Sequence, residues 1–199
     1  MTSREQILKA TKANQPALVP LPLVNLKEII TYDDPVATFE LILTRIGGFV
    51  SHFKEEESLK AAILENSIGK VALNTLDVDE EEIRRIVGLK SLALETVDVA
   101  YVRGTLGIAE NGSIWVEEKA MVNRLLPFIC QHLVIVLRSD QVVETMHQAY
   151  QQIDVASSGF GSFIAGPSKT ADIEQSLVIG AHGPRSMTLF LLDVKDSTD

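Results

Sequence analysis

Cysteine is almost missing from this 199-residue chain, which holds only Cys130. A lone thiol excludes an internal disulfide, and it excludes an iron–sulfur cluster held by this chain alone, which takes four protein ligands. Any redox cluster is therefore expected in a partner. Long apolar runs are missing too. The longest, Ala17 to Val24, is interrupted by Pro20 and Pro22 and falls far short of the ~20 residues of a membrane-spanning helix. Met1 to Lys12 mixes charged and apolar residues without an apolar central stretch, so no secretory signal is expected and the cytoplasm is the default location. Positive charge is scarce: 18 Lys and Arg stand against 27 Asp and Glu, a net charge of −9. The cations are scattered, which argues against a nucleic-acid or anionic-membrane surface. His52, His132 and His147 share no ligand-like spacing, and no metal site is expected. No repeat of fixed period and no low-complexity tract is present.

What is present suits one α/β domain. A chain this long can bury roughly 70% of its unfolded surface without disulfide or metal. Ser3 to Thr11 reads as a short helix capped by Ser3, followed by a proline-punctuated tether from Pro16 to Pro22. We place a boundary near Tyr32, giving a helical arm and tether (1–32) and an α/β domain (33–199). Asp34-Pro35 starts a helix that Gly47-Gly48 stops. Strands are predicted at Phe49–Phe53, Val71–Asn74, Asp98–Val102, Ser113–Val116, Leu133–Leu137, Phe163–Ala165 and Met187–Leu192, the last closing the sheet. Helices are predicted at Glu55–Asn66, at Asp79–Val87, over an amphipathic stretch from Ser139 to Ile153, and from about Thr170. Uninterrupted apolar strands alternating with helices predict a mainly parallel sheet flanked by helices. Ligands of such sheets bind beyond the carboxyl ends of the strands, which directs attention to the loops after Ala165, after Val102 and around Gly112.

Two stretches carry candidate chemistry. In the first, Gly166-Pro167-Ser168-Lys169-Thr170 runs from a strand into a predicted helix start, where free N–H groups beside Lys169 would form an anion site. It is not a P-loop: Pro167 and Ser168 intervene before Lys169, and Pro167 has no N–H to offer a phosphate. The block continues through Asp172 and Glu174 to Gly180-Ala181-His182-Gly183-Pro184-Arg185. Here Ser168 and Thr170 also fit plain helix caps, Asp172 a dipole complement and His182 a surface turn residue. A Ser168–His182–Asp172 triad lacks the GxSxG elbow that would support it. In the second stretch, Asn111-Gly112 marks a tight turn between apolar segments and holds Glu110 at a strand end. That position suits a nucleophilic or basic carboxylate, and equally the polar edge of a turn.

Together these stretches resemble the lactate-utilisation protein C family, also called the LUD-domain or YkgG family. Gly166 to Glu174 followed by Gly180 to Arg185 is similar to its C-terminal signature. Ile108 to Ser113 is similar to its central Ala-Glu-Thr-Gly-Thr/Ser motif, with Asn111 at the Thr position. The resemblance covers Val97 to Leu192. It implies a NagB/RpiA/CoA-transferase-like fold and a role in oxidising L-lactate to pyruvate beside iron–sulfur partner subunits, this chain holding no cofactor itself. On that reading Gly166, Ser168, Lys169, Thr170, Asp172 and Glu174, with Gly183 and Arg185, bind a small carboxylate or a partner, and His182 is the candidate proton carrier; Glu110 is the other catalytic candidate, in the alternative given below. A homodimer is compatible with it. Ala109-Glu110-Asn111-Gly112 also resembles the Ser-Glu-Asn-Gly motif of class I CoA transferases, whose Glu takes the acyl group. The alternative is thus a stand-alone acyl or CoA-group transferase acting through Glu110.

Overall fold

Residues 2–20, 22, 24–173 and 176–194 are described by the computed structural model, with backbone only for 27, 171–173, 176 and 177. The chain opens with α1 (Ser3–Ala13), capped by Thr2 rather than Ser3. Thr2 Oγ1 accepts the Glu5 N–H while the Glu5 carboxylate accepts the Thr2 N–H, a reciprocal box that needs Glu three residues after the cap. No residue of α1 is buried. At α2 (Pro35–Arg45) Asp34 caps the Ala37 N–H at 2.9 Å, Pro35 fits the first turn, and Phe39 and Leu43 point into the core. Then follow β1 (Phe49–Phe53), α3 (Glu56–Ser67), β2 (Ala72–Asn74), α4 (Glu80–Val87, capped by Asp79), α5 (Ser91–Glu95) and β3 (Val99–Arg103). Next come β4 (Leu106–Ile108), β5 (Ser113–Glu117), α6 (Glu118–Met121), α7 (Leu126–Ile129), β6 (His132–Arg138), β7 (Val142–Val143), α8 (Met146–Gln152) and α9 (Val155–Ser158). The last elements are β8 (Gly161–Ile164), β9 (Lys169–Ile173), β10 (Ser176–Ile179) and β11 (Ser186–Leu192).

Five strands form a wholly parallel central sheet in the order β1-β11-β6-β3-β2. This is the expected α/β architecture, and β6 shows why its signal was clear. Leu133 to Leu137 are all buried, since a central parallel strand is covered on both faces. Successive residues divide between two cores. Ala100, Val102, Leu133, Ile135, Leu189 and Leu191 join Phe39 and Leu43 on one side. Val99, Tyr101, Val134, Val136 and Phe190 meet Leu59 and Ile63 of α3 on the other. The buried Tyr101 hydroxyl is satisfied there by Asn66 at 2.8 Å and Ser67 at 3.2 Å. A second sheet, β7-β4-β5-β8, is mixed, and β9 pairs with β10 as a separate hairpin.

Three expectations are corrected. The stretch from Ser139 to Ile153 is not one helix. Residues 139–141 form a 3-10 turn, β-branched Val142 and Val143 extend the second sheet beside Gly107 and Ile108, and α8 starts only where Thr145 caps it through a box with Gln148. The edge of β4 takes the valines out of a pattern that, read alone, has helical spacing. Nor does a helix start near Thr170. Lys169 and Thr170 pair with Ile179 and Val178 in the β9–β10 hairpin. Finally, β11 does not close an edge of the sheet but inserts between β1 and β6.

Candidate functional site

The turn after β4 is built by its own side chains. Asn111 Oδ1 accepts both the Ser113 N–H at 2.9 Å and the Ser113 hydroxyl at 2.6 Å, and the Gly112 N–H donates to Ile108 O at 2.9 Å. Gly112 has φ 68°, and a Cβ there would stand 2.8 Å from the backbone nitrogen of Leu43. Only glycine lets this turn lie against α2. Glu110 is half-buried and engaged: its N–H donates to Glu144 O at 3.0 Å and its Oε1 accepts the Met146 N–H at 2.9 Å, at the start of α8. Glu144 in turn accepts the Tyr32 N–H at 3.0 Å and the Gln148 amide at 2.8 Å. The Tyr32 donor first, and Gln148 after it, hold the Glu144 carboxyl below the usual glutamate range.

The two halves of the C-terminal block meet each other. The Ser168 N–H donates to Pro184 O at 2.9 Å, the Gly180 N–H to Ser168 O at 2.9 Å, and a Cβ on Gly183 would stand 3.1 Å from Ser168 Cβ. The Arg185 N–H donates to Gln131 O at 2.8 Å, tying the block to the residue just before β6. Gly166 has φ 71°, with a Cβ position 2.9 Å from Ile46 O, and the Lys169 ammonium donates to that same Ile46 carbonyl. Here the expected anion cradle is overturned. Without a helix after Gly166 there are no free helical N–H groups, and Lys169 serves the carbonyl end of α2, where a cation suits the dipole. Thr170 sits in β9, His182 and Arg185 are exposed, Asp172 is described by backbone alone, and Glu174 lies outside the described residues. The two motif loops do converge, since Gly112 abuts Leu43 and Gly166 abuts Ile46, one turn apart at the end of α2. Among the described residues no hydrogen bond or ion pair joins Glu110 to His182.

Cys130 is buried and its thiol is pushed up to about 12 by desolvation, so it stays protonated. Among the described residues no group of three or more His, Cys, Asp or Glu is placed to hold a metal ion. No described helix is long and apolar enough to cross a membrane.

A cleft of ≈ 370 Å³ opens where the carboxyl ends of β2, β3, β6 and β11 meet the first turns of α3. Leu59, Ile63 and Val136 form its apolar floor. Lys60 and Arg103 bring cations to it, Glu56 and Asp77 carboxylates, and Asn74 an amide. The strand-end rule pointed to the loop after Val102, and Arg103 is the residue it reaches; the loops after Ala165 and around Gly112 do not line this cleft. Lys60 and Asp77 belong to no motif. The signal that could have found them is positional, one on the helix after β1 and the other in the loop after β2.

A LUD domain family model matches residues 27–192, a span that holds the central sheet, both motif loops and the cleft. The chain belongs to the LUD domain family. This LUD domain is 29% identical over 105 residues to a lactate utilization protein C of Oceanobacillus iheyensis, covering 50% of this chain and 45% of that protein. To the protein of the same name in Bacillus pumilus it is 33% identical over 92 residues, covering 43% and 38%. A longer alignment, with the lactate utilization protein C of Geobacillus sp. strain WCH70, is 25% identical over 213 residues and covers 96% of the chain and 79% of the relative. In the first two comparisons the chain spans less than half of the relative's length. Among solved structures, a DUF162 family protein from Deinococcus radiodurans superposes with a TM-score of 0.61 at 18% identity, over 82% of the chain and 99% of that structure, and so shares the fold.

Proposed function

We propose that this LUD domain serves a lactate-utilisation system as a cluster-free subunit, supporting oxidation of L-lactate to pyruvate beside iron–sulfur partners. The observation that carries the reading is the family match over residues 27–192, together with relatives named for lactate utilisation. A single buried, protonated cysteine fits a division of labour in which electrons pass through another chain. The exposed His182 and Arg185, presented by loops anchored on α2 and Gln131, supply a partner or carboxylate contact. The transferase alternative gains nothing from the geometry, because Glu110 holds the Met146 amide and does not line the cleft.

The test is lactate-dependent dye reduction by material co-purified with the full chain from its native cells. The same preparation carrying His182→Ala and Arg185→Ala serves as comparison. We expect reduction with the wild type and its loss in the variant, with both chains giving the same circular dichroism and melting temperature. Equal reduction by both would remove the loops from the function. No lactate-dependent reduction and no cluster-bearing partner would overturn the reading itself.

A further inference from the structure

We propose that the cleft at the carboxyl ends of the central strands binds a hydroxylated organic anion about twice the size of lactate, its charged group held by Arg103 and Lys60. The proposal does not rest on the lactate reading.

Three observations carry it. The first is charge placement. In a chain of net charge −9, Arg84, Arg85, Arg124 and Arg138 each hold a neighbouring carboxylate, while Arg4, Arg45 and Arg185 stand unpaired among the described residues, outside the cleft. Arg103 and Lys60 form no ion pair with any described residue, although Glu56 and Asp77 line the same cleft. Glu56 and Lys60 stand four apart on α3 with the acid first, the arrangement that favours pairing on a helix, and still they remain apart. Two cations thus enter one cleft from different walls, α3 and β3, with their charges unspent.

The second is size. A cavity on the order of 150 Å³ accepts benzene, which has six heavy atoms, the same number as lactate. The cleft of ≈ 370 Å³ is more than twice that, within the range of small-molecule sites. Lactate alone would leave most of it filled with water. The third is the pattern of the lining. An apolar floor of Leu59, Ile63 and Val136 suits a carbon chain, the guanidinium fork of Arg103 matches two oxygens of a carboxylate or phosphate, and Glu56 and Asp77 can accept hydrogen bonds from hydroxyl groups.

Carboxylate and phosphate head groups share this chemistry, so the test has an arm for each. Isothermal titration of the full chain with gluconate, with glycerol 3-phosphate and with L-lactate is compared among wild type, Arg103→Ala and Lys60→Ala. We expect one of the two larger probes to bind at least about tenfold more tightly than L-lactate, and Arg103→Ala to weaken it at least about tenfold. Lys60 is solvent-exposed at the rim of the cleft, so Lys60→Ala keeps the fold and is expected to weaken the same probe even if Arg103→Ala is unstable. Gluconate binding would assign a carboxylate head, and glycerol phosphate binding a phosphate head. Binding of neither probe, binding unchanged in both variants, or L-lactate bound as tightly as the larger probe would each overturn the proposal. None of these results depends on lactate oxidation.

Discussion

The Glu110 carboxylate accepts the Met146 N–H at 2.9 Å, so the turn after β4 and the start of α8 form a single joint across 36 residues of sequence. Glutamine keeps an acceptor oxygen at that place and alanine does not. Glu110→Ala is therefore expected to lower stability by about 1–2 kcal/mol, and Glu110→Gln by a fraction of that, in urea unfolding. If Glu110 were an acyl acceptor, Glu110→Gln would abolish a covalent adduct formed with acyl-CoA. We expect no adduct in the wild type, read by intact mass.

Two glycines with similar backbones separate strain from collision. Gly69 has φ 71° and open space around its Cβ position, whereas Gly112 has φ 68° and the Leu43 backbone 2.8 Å away. Gly69→Ala is expected to cost about 1 kcal/mol from left-handed backbone alone. Gly112→Ala adds a clash with a helix that cannot retreat from the core, for a total of about 2–4 kcal/mol. Equal losses in chemical denaturation would show that α2 yields to the turn.

Glu144 sets an acid limit on one seam. Its folded pKa lies below the usual value of 4.5 because the Tyr32 N–H and the Gln148 amide donate to the charged carboxylate. The stabilisation is present above about pH 4.5 and is lost as pH falls through the lower folded value. Glu144→Gln should melt earlier than the wild type at about pH 6, and the gap should close toward about pH 3. Glu82, Glu118 and Asp140, held low by their arginines, titrate alike in both proteins. A gap independent of pH would assign the seam to packing rather than charge.

Helix α1 buries nothing, with Ile7 65% and Leu8 55% exposed. Removing residues 2–13 should therefore move the melting temperature by less than about 2 °C. A fall of several degrees would show that the helix stabilises the folded body after all.

Much of the fold was legible because it rests on local chemistry. Asp34-Pro35, Asp79 and Asn111-Gly112 each satisfy neighbouring N–H groups, and Leu133 to Leu137 declare a strand buried on both faces. What was not legible depends on partners far along the chain. Val142 and Val143 are strand residues only because the edge of β4 is there to receive them. Lys169 reads as an anion ligand until the Ile46 carbonyl, 123 residues away, is placed beside it. The motif loops could be found by their residues, but their common footing on α2 could not. Lys60, Asp77 and Arg103 carry no motif at all, and only the strand order brings them to one cleft.

The position of β11 also bears on synthesis. Phe49 pairs with Thr188 and Leu133 with Met187, so β11, made after both of its neighbours, is a central plank of the sheet. While the ribosome is still working toward residue 192, β1 and β6 each present an unpaired edge to whatever else is nearby. Such a nascent chain must wait for β11, and this favours slow completion and early reliance on chaperones.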